Sequence, residues 1–250
     1  MTSSVTQYPA LVGIPVQPST CQKLFSLSTQ VHPYLKHCEF ESDNSLALES
    51  NNSNSQSLLR LYENLKHRYP EAGKSYWSHK CWQLAIWQPV LLSMICVYAL
   101  KISLPLSQLR INCNALSIYG YKLKIDRELQ GDMLSIITHI SRELRLLIES
   151  FYQQISQYFP LKYRFCQKLL SDQLLESLAK VAELAPQISR TDLAVHTQCW
   201  LLGLGLPSRI LQIDSNKQVI RSSCCLEYRL DTRDYCKNCP KQRPTKNAKT

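Results

Sequence analysis

The feature that most limits this chain lies near its end, in "SSCCLEYRLDTRDYCKNCP", residues 222–240. Cys224 and Cys225 touch, ten residues follow, and Cys236 and Cys239 close a Cys-x-x-Cys. A thiolate is a soft, charged donor suited to zinc, copper(I) or iron–sulfur clusters, and four of them make one complete ligand set. Structural zinc sites use separated chelating pairs, because a spacer lets both sulfurs turn inward on one ion. Cys224 and Cys225 have no spacer, and adjacent side chains of an extended segment point to opposite faces. A two-iron cluster is a larger target that relaxes this demand, so the spacing tilts toward iron–sulfur. Zinc stays open as the commonest occupant of four-cysteine sites. A thioredoxin-like redox pair in "CKNC" fits poorly, since that motif opens a helix after a strand and here a basic, proline-bearing tail follows.

Seven further cysteines, scattered singly from Cys21 to Cys199, lack the spacing of a disulfide framework and read as buried free thiols. With 250 residues, 44% hydrophobic and 19% charged, the chain can bury a sizeable core. Its net charge of +10 suits nucleic acid, anionic membranes or acidic ligands alike, so the distribution matters. From Lys237 onward "KNCPKQRPTKNAKT" has five cations and no acid, the pattern of a solvated terminus. No recognition helix dense in Arg and Asn is evident, so nucleic acid is not expected as a partner. The opening "MTSSVTQYPALVGIPVQPST" has neither a basic n-region nor a sustained apolar run, which leads to the expectation of a cytoplasmic protein.

Apolar periodicity then sets the fold class. "SLLRLYENLKHRY" (57–69) aligns Leu58, Leu61 and Leu65 and is closed by Pro70. Leu134, Ile137, Ile140, Leu144, Leu147, Phe151 and Ile155 recur at steps of three and four, which predicts a long amphipathic helix ending before Pro160. Two more helices are expected through "RFCQKLLSDQLLESLAKVAEL" and "RTDLAVHTQCWLLGLGL", with Thr191 capping the second. "LRINCNALSIYGYKLKI" alternates as a strand pair does. Cys81–Leu100 carries no charge and is long enough to span a bilayer, but Gln83, Gln88 and Pro89 interrupt it. It is expected to form two buried helices meeting at Gln88-Pro89, with no stable membrane span and room left for peripheral membrane contact. The chain is thus expected to be mainly α with a minor β element (α+β), a helical domain with a C-terminal cluster loop. Residues 1–56 are an irregular N-terminal segment, with a short helix around Cys21–Thr29 and a flexible Ser/Asn-rich linker at 41–57. Residues 57–215 form the helical domain, and 216–250 the cysteine segment with its basic tail.

Cys-Cys-x10-Cys-x2-Cys at the C-terminus resembles the [2Fe–2S] motif of the FhuF-like ferric-siderophore reductases, matched by Cys224, Cys225, Cys236 and Cys239. "EAGKSYWSHKCWQLAIWQPVLLSMICVYAL" is similar to that family's aromatic Tyr-Trp…Trp…Trp-Gln-Pro segment, and "LGLGLPSR" to the segment leading toward its cysteines. The resemblance covers roughly residues 60–240. It implies a [2Fe–2S] cluster held by these four cysteines and reduction of ferric siderophores in the cytoplasm. The alternative is a zinc- or cluster-binding regulatory or redox-sensing protein without reductase activity.

The chemistry is coherent without the resemblance. Hard oxygen donors hold Fe(III) far better than Fe(II), so one added electron weakens the chelate and frees the metal. Arg221, Arg229, Arg233 and Lys237 surround the motif, where they would favour the more negative reduced cluster and offer contacts to an anionic chelate. Asp231, Asp234 and Glu227 oppose them. Gly203 and Gly205 lack the third glycine of a dinucleotide fingerprint, and no flavin or nicotinamide motif occurs, so electrons are expected from an external donor such as a ferredoxin-like carrier. His139 and His196 read as structural. Tyr76, Trp77, Trp82 and Trp87 read as core, with a shallow chelate pocket as the second possibility.

Overall fold

The computed structural model describes residues 11–39, 45–47, 52–209 and 219–242. Helix α4 (Met133–Ser156) carries out its periodicity: Ile137, Ile140, Leu144, Leu147, Phe151 and Ile155 are wholly buried. Each such side chain contributes about 1.5–3 kcal/mol by leaving water. Asp132 caps the helix by accepting from the Leu134 and Ser135 N–H groups, two of the donors that an N-terminus leaves unpaired. Helix α2 (Asn52–Arg68) sends Leu58, Leu61 and Leu65 into the same core and stops before Pro70, as its periodicity predicts.

Helices α5 (Tyr163–Leu184) and α6 (Arg190–Gly203) complete the body. The cap of α6 is Ser189, whose hydroxyl accepts from the Asp192 N–H, and not Thr191. Serine sits one residue before the first helical turn, where its oxygen reaches the free N–H groups; Thr191 already lies inside. Gly203 and Gly205 have structural roles. A Cβ on Gly203 would meet Ser141 Oγ of α4 at 1.8 Å, and Gly205 takes φ +64 where the Leu206 N–H turns back to the Leu201 carbonyl.

Helix α3 (Gly73–Met94) packs against α2, α4 and α5 and continues as one π-helical turn, Ile95–Leu100. The expected break at Gln88-Pro89 is absent. Proline removes one helical hydrogen bond at a cost of about 3 kcal/mol. Val90, Leu92, Met94 and Val97, all buried beyond it, more than offset that loss. The stretch Pro70–Leu100 is long and apolar enough to cross a membrane, yet 61% of its apolar window is buried inside the protein.

Among the described residues the β part consists of two small sheets. β3 (Leu109–Cys113) and β4 (Ile118–Leu123) form the expected hairpin, and β2 (Ser45–Ala47) adds antiparallel to β3. β1 (Val12–Pro15) pairs with β5 (Arg127–Gln130). Helix α1 (Pro18–Val31) lies between β1 and β2 in the chain and extends the short helix expected there. Within the expected linker, 45–47 pair with β3 and 52–57 open α2; the remainder of 41–57 lies outside the described residues, as do 1–10 and 243–250. Among the described residues the protein is therefore mainly α with a minor β element. Leu24 and Leu35 share one buried cluster with the helices and with Cys224, Leu226, Leu230 and Cys239.

Candidate metal centre

Residues 219–242 contain no element longer than the 3-10 turns Glu227–Arg229 and Pro240–Gln242, so side chains must fix their path. The principal anchor is Asp172 on α5, which is wholly buried. Its carboxylate accepts from the Ser222 N–H at 2.9 Å, the Ser223 N–H at 2.8 Å, both serine hydroxyls, and Arg209 Nη1 at 2.7 Å. A buried charge survives only with such partners. Asn238 Nδ2 donates to the Val219 carbonyl, closing the far side of the loop. From α3, Lys80 pairs with Glu227 and Gln83 Nε2 donates to the Cys225 carbonyl at 3.5 Å; Arg229 Nη1 donates to the Ala72 carbonyl just before that helix.

So held, the four thiols stand in two nested pairs. Cys224 Sγ lies 3.6 Å from Cys239 Sγ, and Cys225 Sγ lies 4.0 Å from Cys236 Sγ. Both separations far exceed the S–S bond of about 2.05 Å in a disulfide. They match the distance of about 3.8 Å between two sulfurs on one tetrahedral metal with bonds of about 2.3 Å. The absence of a spacer is thereby resolved: the adjacent cysteines diverge, Cys224 inward and Cys225 toward the surface, and each meets one thiol of the Cys-x-x-Cys. Among the described residues no three His, Cys, Asp or Glu side chains gather around the position of a single ion. Two pairs of soft donors, each spaced to hold one metal, suit a two-metal cluster.

Electrostatics bear on both pairs. Burial pushes the Cys224 thiol up to about 11 and the Cys236 thiol up to about 12, with the neighbouring thiols adding to the shift. A metal binding to these thiols must therefore displace their protons. Leu226, in the left-handed region at φ 64, turns its N–H onto Cys224 Sγ at 3.4 Å, a contact that stabilises negative charge on sulfur. Arg221 is mostly buried, which works against its charge, but Glu176, then Cys225, Asp172 and Cys236, hold its pKa above the ordinary value. Of the four cations singled out in the sequence, Arg221 faces the thiols, Arg229 reaches Ala72, and Arg233 and Lys237 are exposed.

Tyr76, Trp77 and Trp82 are core residues, as expected; Trp77 Nε1 donates to the Tyr69 carbonyl and Trp82 Nε1 to that of Cys166. Cys81, Cys96, Cys113 and Cys166 are buried free thiols, while Cys21, Cys38 and Cys199 are partly exposed. His139 is bonded to Ser103 Oγ; His196 is buried, and its Nδ1 has no hydrogen-bond partner among the described residues. The anchoring role of Asp172 was not foreseen, although a carboxylate inside the apolar stripe of "LLSDQLL" signals a buried partner. Nor was that of Gln83, whose contact with Cys225 depends on tertiary packing.

Residues 221–241 match the family model described as the FhuF 2Fe-2S C-terminal domain. The match takes in all four clustered cysteines and none of the helical body, and it identifies the cofactor as a [2Fe–2S] cluster. No solved structure matches the chain.

Proposed function

We propose that the protein is a ferric-siderophore reductase in which Cys224, Cys225, Cys236 and Cys239 hold the cluster and Fe(III) in an oxygen-donor chelate is the substrate. One observation carries this reading: four thiols gather as two pairs inside a segment that matches a [2Fe–2S] domain. One iron would then be held by Cys224 and Cys239, and the other by Cys225 and Cys236. When bound, the cluster supplies single electrons. The Leu226 N–H and Arg221 stabilise the negative charge that accompanies reduction. Leu226 and Leu230, both buried, exclude water from the inner side, while the Cys225 and Cys236 pair stays nearer the surface. Fe(III) taking one electron becomes Fe(II), which the hard donors hold poorly and release. The proposal includes an external one-electron carrier as donor and a cytoplasmic location.

The test starts with protein purified without oxygen and assayed for iron, acid-labile sulfide and zinc. Equal iron and sulfide support the cluster; zinc alone moves the reading to a zinc-binding regulator. The reduced protein, freed of excess reductant, is then mixed with a ferric chelate and a ferrous trap. Reoxidation with about one electron per trapped Fe(II) is expected, since the centre cycles by single electrons. Protein that stays reduced with hydroxamate, catecholate and carboxylate chelates alike overturns the reductase and leaves a carrier or sensor. The ligand pairing has its own readout: in the reduced protein, the cysteine β-protons on ferrous and ferric irons shift oppositely with temperature, and Cys224 should fall in one class with Cys239.

A further inference from the structure

A cleft of ≈ 580 Å³ between α3, the loop after α1, and β4 lies within the range of about 300–1,000 Å³ typical of small-ligand sites. Its floor comes from one face of α3, where Lys80, Gln83 and Trp87 follow one another at steps of three and four. Its walls are aromatic: His32, Tyr34 and Tyr119 join Trp87 in a chain of ring contacts, with centroids 4.9 Å apart for His32 and Trp87 and 5.4 Å for Tyr34 and Tyr119. Trp87 is fixed by donating Nε1 to the Ile118 carbonyl at 3.0 Å, whereas Tyr34 is 59% exposed and stands at the rim.

Two lining side chains also touch the cluster loop. Gln83 donates to the carbonyl of Cys225, and Lys80 pairs with Glu227 two residues further on. A ligand resting on Gln83 is thus one side chain away from the more exposed pair of thiols. A larger groove between α4 and α6, ≈ 1070 Å³, has no lining residue hydrogen-bonded to residues 219–242 among the described contacts.

We propose that this aromatic cleft is the docking site of the ferric chelate, and that it selects an uncharged complex presenting apolar or π-bearing edges. This rests on the reductase reading, and adds to it where the substrate sits and which residues hold it. Among the described residues Lys80 is the only Lys or Arg lining the cleft, and Glu227 already neutralises it, so a highly anionic chelate would enter without a counter-charge. Ring faces and the half-buried indole instead reward apolar contact. The exposed Arg233 and Lys237 lie outside this lining and are not the contacts that confer selectivity.

The test uses the oxidised holoprotein and gallium(III) chelates, which share the charge and shape of the ferric complexes but accept no electron. Binding of a neutral gallium tris-hydroxamate is followed by calorimetry in wild type, Tyr34→Ala, Tyr119→Leu and Trp87→Leu, with Leu202→Ser in the α4–α6 groove as control. The cleft variants should weaken binding about tenfold or more, about 1.4 kcal/mol, with cluster absorbance and helical content unchanged. Tyr34→Ala carries the test if Trp87→Leu fails to fold, because the Tyr34 ring is exposed at the rim. Binding that resists all three substitutions, or weakens equally in Leu202→Ser, overturns the site. A trianionic gallium tris-catecholate should bind at least tenfold weaker than the neutral complex; equal or tighter binding overturns the charge selection. Because gallium is not reduced, a misplaced site with intact ferric reduction is distinguished from intact binding without reduction, which would sink the reductase reading instead.

Discussion

Helix α4 and the segment 219–242 are stabilised in opposite ways. Six wholly buried apolar side chains and a single polar cap fix α4, and its backbone groups are satisfied within the helix. The cysteine segment buries Leu226 and Leu230, but its backbone is held by side chains, from outside by Asp172 and Gln83 and from within by Asn238 and the thiols themselves. Apolar burial is non-directional and spread over many contacts, so α4 can lose a methyl group and survive. Directional polar anchors are few, and each buried one that is lost leaves an unpaired partner. The helical body should therefore fold whether or not the cluster is present, while the cluster loop should depend on both its metal and Asp172.

The largest expected effect tests that independence directly. Serine at Cys224, Cys225, Cys236 or Cys239 replaces a soft ligand with a hard hydroxyl and should abolish or destabilise the visible absorbance of the cluster, while Cys81→Ser keeps it. Far-ultraviolet circular dichroism should be unchanged in all five proteins. A loss of helix in the ligand variants would show that the body leans on the cluster after all.

Asp172→Ala should come next, costing about 3–5 kcal/mol because Arg209 and two backbone N–H groups lose a buried partner. Its signature is lower iron and sulfide occupancy before any change in helix content. Leu144→Ala should cost about 2–5 kcal/mol by opening a cavity in α4, with the reverse signature. Thermal melts are expected to shift down while cluster absorbance below the transition stays at wild-type intensity. If the two variants gave the same pattern, the two regions would be one cooperative unit.

An effect smaller for each thiol and each pH unit should appear in alkaline solution. Burial raises Cys96, Cys113 and Cys166 to about 12 from an unperturbed 9.0. Above pH 9 the unfolded chain loses these protons while the folded protein keeps them, so the unfolded state binds fewer protons and stability falls as pH rises from 9 toward 12. Below 9 the three thiols contribute no slope. Each adds at most about 1.4 kcal/mol per pH unit, and Cys96→Ala should flatten the fall in a urea-midpoint series. The smallest effect is at the α6 cap: Ser189→Ala should cost about 1 kcal/mol and Thr191→Ala little, and the reverse order would restore the cap expected from the sequence.

Much of the body was legible because its signals are local. The three-and-four spacing of Ile137, Ile140, Leu144 and Leu147 defines a helix face without reference to anything distant. Pro70 and Pro160 mark stops by their own chemistry. Pro89 misled for the same reason: its local cost is real, but the packing of Val90, Leu92 and Met94, invisible in the sequence, outweighs it. The α6 cap falls at Ser189 and not at the expected Thr191, because composition cannot fix a cap to one residue.

For the proposed metal centre, the sequence alone determined the candidate donors. Four thiols on an unusual spacing define a soft ligand set, since ligand chemistry belongs to the side chains themselves. Their pairing, Cys224 with Cys239 and Cys225 with Cys236, was decided by tertiary structure, because it depends on how the chain folds back between them. So was the role of Asp172, which acts on residues fifty positions away, at Ser222 and Ser223. The aromatic cleft belongs to the same class: His32, Tyr34, Trp87 and Tyr119 come from three elements, and only their packing makes one surface. Local preferences act over a helical turn or two, whereas a site joins side chains that only the packed core brings within reach.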